Sequence, residues 1–102
     1  MTITINYETK SDQSRFINIS MLTTTKKTNS LKINLDKSAE SDWNREKINT
    51  FLVNIVAEND SSEIIVEITD QANQNRQQVK EIEFIVQLFE TFAKQYNEMI
   101  KK

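Results

Sequence analysis

The stretch that decides the fold is residues 79–100, which read VKEIEFIVQLFETFAKQYNEMI. Apolar residues recur there at alternating steps of three and four, the repeat of an amphipathic helix or a coiled-coil seam. This first row consists of Val79, Ile82, Val86, Phe89, Ala93, Tyr96 and Ile100. A second apolar row beside it consists of Ile85, Leu88, Phe92 and Met99, with Phe84 just outside. At ~100° per residue, the two rows cover about half of the helix circumference.

The width of this apolar arc allows two interpretations. A helix that only covers a sheet needs an arc of about 100° or slightly more. The helix could therefore wedge between the sheet and another helix, so that both rows are intramolecular. Alternatively, the second row contacts another chain, because Phe84, Leu88 and Phe92 would form a large patch to leave in water. Homodimerisation is the simplest way to cover such a patch.

Two elements are expected upstream of this helix. Residues 48–56 carry apolar residues at helical spacing, and residues 59–62 are expected to end that helix. Residues 64–68 read as a strand whose three consecutive apolar residues predict more burial than in the other strands. Asp70 is expected to cap the C-terminal helix. Residues 71–78 are either the first turns of that helix or a linker ahead of it.

The N-terminal part alternates between polar and apolar residues, which is typical of half-buried strands. The alternation runs over residues 2–8, 16–22 and 31–35, with polar loops at 10–14 and 23–30. Three such strands predict an antiparallel meander. The expected fold is α+β, with the order β-β-β-α-β-α in a single domain over residues 1–102. Two helices, the C-terminal one long, would pack on one face of a mostly antiparallel four-stranded sheet.

The composition excludes several chemistries. The chain has no Gly, Pro, Cys or His. It therefore has no thiolate, no imidazole base or ligand, and no glycine-rich phosphate loop. Glu63 and Glu67 would lie ~13 Å apart on a strand, too far to share one cation. We expect no catalytic residues, no cofactor and no metal. Without a basic, apolar leader or an apolar run of ~18 residues, a cytoplasmic protein without membrane contact is expected.

Two groups of residues are candidate binding sites. The expected partner interface is formed by Trp43, Phe84, Leu88, Phe92 and Met99. Trp43 is either an interface anchor or a lid over the end of the core. A possible basic edge is formed by Lys26, Lys27, Lys32 and Lys37. Such lysines could contact nucleic acid or simply protect an edge strand from aggregation.

Charge is unevenly distributed, with a net +3 over residues 1–39 and −5 over residues 40–102. The favoured hypothesis is a non-enzymatic small acidic interaction protein: an adaptor, inhibitor or regulatory subunit. It would act through an apolar helix face, bind itself as a homodimer, and bind another protein. The alternative is a nucleic-acid-associated protein of a phage or mobile element that uses the basic sheet half.

Overall fold

The computed structural model describes residues 1–35, 45–59 and 62–101. The described strands and helices, in chain order, are β1 Thr2–Thr9, β2 Arg15–Leu22, β3 Thr28–Asn34, α1 Arg45–Glu58, β4 Ile65–Ile68, α2 Asp70–Asn75 and α3 Lys80–Ile100. The α+β class and the expected order are confirmed, with one additional short helix before the long C-terminal one.

The four strands form one mixed sheet in the order β3-β2-β1-β4. β1, β2 and β3 make the expected antiparallel meander, whereas β4 pairs with β1 in parallel. This parallel pairing requires a crossover from β3 to β4, and α1 supplies it. β4 pairs with β1 and is last in the strand order, so it lies at an edge of the sheet.

Both hairpins of the meander are closed by the same kind of turn. In each, the first loop residue donates its N–H to the carbonyl of the fifth, and the fourth donates to the carbonyl of the first. The fourth residue has a positive φ, 70° at Gln13 and 66° at Lys26. Glycine usually occupies this position in a type I turn followed by a bulge. In this glycine-free chain, Gln13 and Lys26 adopt the left-handed conformation instead, which has a steric cost for residues with a Cβ atom.

Three local expectations were wrong. The 23–30 loop is shorter, because Thr28, Asn29 and Ser30 continue the ladder with β2. β4 is not the most buried strand, since Ile65 lies on the outer face of an edge strand and is exposed. The cap of α2 is Thr69 rather than Asp70, and its hydroxyl oxygen accepts the N–H of Ala72.

The last two helices are separate elements. α2 ends at Asn75, and α3 begins at Lys80. In the turn between them, Arg76 reaches forward to α3 and forms ion pairs with Glu83 and Glu90. Residues 71–78 are therefore neither the start of α3 nor a plain linker.

The core lies between the sheet and the helical layer. Its strand residues point to one face of the sheet, as the alternation predicts, and include Ile3, Ile5, Ile17 and Ile19. The first apolar row of α3 is buried from Val79 to Ala93, and Tyr96 packs on it at the margin. Phe51 of α1 and Phe89 of α3 meet edge to face in this core, with ring centres 6.0 Å apart. This contact holds the two helices side by side.

Candidate interaction surface on the helical layer

A groove runs between α1 and α3 on the side away from the sheet. Its volume is about 550 Å³. The lining residues of α1 are Ile48, Asn49 and Leu52, and those of α3 are Lys80, Glu81, Phe84 and Leu88. The groove lies along the N-terminal halves of both helices, and the Phe51–Phe89 contact lies near the middle of each helix.

Exposed apolar residues extend from this groove along both helices. Val53 and Val56 each lie one helical turn beyond a groove residue, Asn49 and Leu52. Phe92 lies one turn beyond Leu88, and Met99 lies two turns further. We define the α1–α3 face by its apolar members, which are Leu52, Val53, Val56, Phe84, Leu88, Phe92 and Met99.

Much of the α1–α3 face is open to solvent. The exposed fraction is 65% for Val53, 57% for Phe84 and 70% for Met99. Leu52, Leu88 and Phe92 are partly buried against the core. Since an aromatic side chain carries ~200 Å², the face exposes on the order of 400–500 Å² of apolar surface. This lies within the range of about 300–600 Å² that the largest apolar patch of a monomeric protein covers, and such patches are often functional.

The structure places the four described interface candidates of α3 on this one face. The second apolar row is nevertheless divided, because Ile85 is fully buried while Met99 is exposed. Neither interpretation of the wide arc describes the whole row. Ile85 belongs to the core, Leu88 lies in the groove, and Phe92 and Met99 continue along α3 beyond it. Trp43 lies outside the described residues.

The contribution of α1 was missed from the sequence. Leu52 and Val56 belong to the helical spacing of apolar residues over 48–56, but Leu52 is only partly buried and Val56 is 48% exposed. The available signal was the width of the apolar arc. Phe51, Leu52 and Val53 are consecutive and span about 200° of the helix, so they cannot all face the sheet.

A pair of long-range hydrogen bonds fixes the C-terminal part of α3. The Asn97 side-chain Nδ2 donates to the Ile64 carbonyl at 2.9 Å, and the Ile64 N–H donates to the side-chain oxygen Oδ1 of Asn97 at 2.8 Å. The Asn97 side chain thus supplies hydrogen-bond partners for both the N–H and the carbonyl of Ile64, the residue just before β4, as a neighbouring strand would. It also sets the position of α3 relative to the sheet, and with it the position of Met99.

Ion pairs fix the N-terminal part of α3. The Arg76 guanidinium contacts both carboxylate oxygens of Glu83, and Gln87 donates to the same carboxylate at 2.9 Å. These hydrogen bonds lower the pKa of Glu83, and the one from Arg76 is the largest cause. The pKa of Arg76 is raised in return. Both ends of α3 are therefore anchored by polar contacts that involve none of the residues defining the α1–α3 face.

The described lysines of the expected basic edge do not form one patch. Lys26 and Lys27 lie at the turn between β2 and β3, whereas Lys32 lies five residues further along β3, or about 16 Å at 3.3 Å per residue. Lys27 pairs with Glu58 at 3.3 Å, and Lys32 pairs with Glu8 at 3.4 Å. Lys37 lies outside the described residues.

The outer face of the sheet carries a second notable group around Phe16. The ammonium groups of Lys10 and Lys32 lie 4.8 and 4.3 Å from the centre of the Phe16 ring. The Asn18 hydrogen bond to Glu8, with a contribution from Lys32, lowers the pKa of Glu8. Each cation therefore has an aromatic or acidic neighbour at close range, and the ring face is occupied by cations.

The described residues contain neither a metal-ligand cluster nor a membrane-spanning helix. Within residues 1–35, 45–59 and 62–101, no three acidic side chains come together as a metal site would require. Among the helices of that part of the chain, none combines the length and hydropathy of a membrane crossing.

The fold and the surface together define a class of protein: a two-layer α+β domain that presents a solvent-exposed apolar face on its helical layer. Comparison of the chain with known proteins finds no matching family model, no matching curated protein and no matching solved structure.

Proposed function

We propose that this protein is a non-enzymatic interaction protein whose α1–α3 face binds a protein chain. The observation that carries the proposal is the extent of the exposed apolar surface, which includes Val53 and Val56 of α1 and Phe84 and Met99 of α3. The groove that joins the two helices is lined by apolar residues together with Asn49, Lys80 and Glu81. Exposed apolar area of this size favours association, because covering it releases about 25 cal/mol per Å². An adaptor, inhibitor or regulatory subunit uses a surface of this kind.

The composition supports a binding role over a catalytic one. With no Cys and no His in the chain, the thiolate nucleophile and the most common general base are missing. The remaining candidates, carboxylates and lysines, are mostly on the surface, and the lowered pKa values of Glu8 and Glu83 arise from hydrogen bonds and charges of neighbouring surface side chains. Active sites usually shift pKa values by burial in a cleft.

Paired variants of the face test this function. Val53→Asp puts a charge on the α1–α3 face at a position already largely exposed, so its cost in folding stability is about 0.5 kcal/mol or less. Leu88→Asp puts the charge in the groove. Thr4→Asp, on the outer face of the sheet, is the matched control. Circular dichroism and thermal unfolding establish that each variant folds.

Co-purification with the tagged chain is the readout, counting both a second copy and a different protein. We expect the associated chain to remain with wild type and Thr4→Asp and to be lost with the folded Val53→Asp. Retention of the associated chain by Val53→Asp and Leu88→Asp, or absence of any associated chain with wild type, overturns the proposal.

Nucleic-acid binding by the basic sheet half is the alternative, and the structure offers it less support. Two of its lysines are paired with glutamates, and the nearby aromatic ring is covered by ammonium groups instead of being open for base stacking. A gel-shift series with single- and double-stranded DNA at falling salt tests it. Binding that strengthens steeply at low salt supports the alternative, because phosphate contacts release counterions.

A further inference from the structure

We infer that the occupant of the α1–α3 face is a second copy of this chain, docked around a two-fold axis with the two α3 helices antiparallel and Leu88 at the axis. This inference rests on the proposed function, since it names the partner of the same surface. Three features of the surface lead to it: its area, the spacing of its aromatic residues and the order of its charges.

The area agrees with what a stable dimer requires. A standard interface buries ~800 Å² on each partner, and homodimer interfaces are ~65% apolar. Those figures call for roughly 500 Å² of apolar surface per copy. The α1–α3 face exposes on the order of 400–500 Å², estimated from ~200 Å² per aromatic side chain. One copy therefore matches the other in the amount of apolar surface that has to be covered.

The aromatic residues of α3 are placed symmetrically about Leu88. Phe84 lies four residues before it and Phe92 four residues after it, each about 6 Å along the helix at 1.5 Å per residue. In an antiparallel pair centred on Leu88, Phe84 of one copy therefore lies opposite Phe92 of the other. The two-fold axis produces this contact twice, and aromatic pairs at such a distance stabilise an interface.

The charges beside this row are also self-complementary when the helix is reversed. Lys80, Gln87, Thr91 and Glu98 follow one another at steps of seven, four and seven residues, so all four lie on the same side of α3. Lys80 and Glu98 are the two ends of this row. Lys80 is eight residues before Leu88, and Glu98 is ten residues after it. In the antiparallel pair, Lys80 of one copy lies within ~3 Å along the axis of Glu98 of the other, since each residue advances 1.5 Å.

A parallel arrangement lacks this complementarity. It would place Lys80 beside Lys80 and Glu98 beside Glu98, and like charges at facing positions are destabilising. The charges thus favour the antiparallel arrangement over the parallel one, although the same apolar rows could meet in both. On the other side of the pair, Val53 and Val56 extend the buried surface onto α1, so that four helices form the interface layer.

Disulfide cross-linking tests the arrangement directly, because the chain contains no Cys and each introduced thiol is unique. Leu88→Cys places the two thiols at the axis, where the backbones come within disulfide reach. Thr4→Cys is the matched control, since Thr4 is also partly buried but lies on the outer face of the sheet. Mild oxidation of both variants is followed on a non-reducing gel.

We expect Leu88→Cys to form the covalent dimer at least about tenfold faster than Thr4→Cys. Charge reversal tests the register in the same variant: Lys80→Glu or Glu98→Lys alone should weaken dimerisation about three- to tenfold through two symmetric contacts, and the double reversal should restore it. Equal cross-linking rates at positions 88 and 4, or a double reversal no better than the single ones, overturns the antiparallel dimer.

The outcome for the dimer can be separated from that for the proposed function. If Leu88→Cys fails to cross-link while a different protein binds wild type and is lost from Val53→Asp, the dimer is wrong and the interaction function stands. If neither a second copy nor another protein binds the face, both are wrong.

Discussion

Replacement of Asn97 by Ala should destabilise the protein by about 2 kcal/mol. The side chain makes two hydrogen bonds of 2.8 and 2.9 Å to the backbone of Ile64, a residue that is only 3% exposed. Leaving a buried donor or acceptor without its partner costs ~1–3 kcal/mol, and partial access of water to this contact reduces the total for the pair. For a domain of this size, the melting temperature should fall by roughly 10 °C.

Asn97→Asp separates the two hydrogen bonds. The carboxylate still accepts the Ile64 N–H, but it cannot donate to the Ile64 carbonyl and repels it at neutral pH. Protonation at low pH restores a donor. Relative to Asn97→Ala at the same pH, Asn97→Asp should therefore gain stability as the pH falls to about 4. Urea unfolding followed by circular dichroism measures both variants. An Asn97→Ala protein within about 0.5 kcal/mol of wild type would refute the reasoning.

Two further predictions concern a turn and an ion pair. Lys26→Gly should stabilise the protein by about 1 kcal/mol, because Lys26 has a φ of 66°, whereas Lys27→Gly should bring no gain in thermal unfolding. Lower stability of Lys26→Gly would contradict the turn assignment. Glu83→Gln should lower the melting temperature at pH 7 but not at about pH 2. The pKa of Glu83 is lowered in the folded protein, so its carboxylate stabilises the fold at pH values above the ordinary pKa of Glu. This stabilisation disappears as the pH falls through the lowered pKa. A melting difference that is the same at both pH values would show that Arg76 does not stabilise the Glu83 carboxylate.

The local pattern of the sequence predicted those parts of the fold that depend on neighbouring residues. Alternation placed Ile3 and Ile5 on the buried face of β1, and the three-and-four spacing placed Ile82 and Phe89 on the buried face of α3. In both elements a single period determines which side chains face the core.

Contacts between distant residues could not be predicted in this way. The edge position of β4 follows from its parallel pairing with β1, about 63 residues away in the chain. The pairing of Lys27 with Glu58 depends on the packing of α1 beside β3. The same limit applies to the candidate site: the pattern of α3 indicated a wide apolar surface, but only the position of α1 shows that Val53 and Val56 extend it.

The molecular mass in solution tests the central claim most directly. Sedimentation equilibrium of wild type over a wide concentration range should show a mass that rises from 12.0 kDa towards twice that value, while a folded Leu88→Asp remains at 12.0 kDa. A wild-type mass of 12.0 kDa at every concentration would contradict the conclusion that a second copy covers the α1–α3 face.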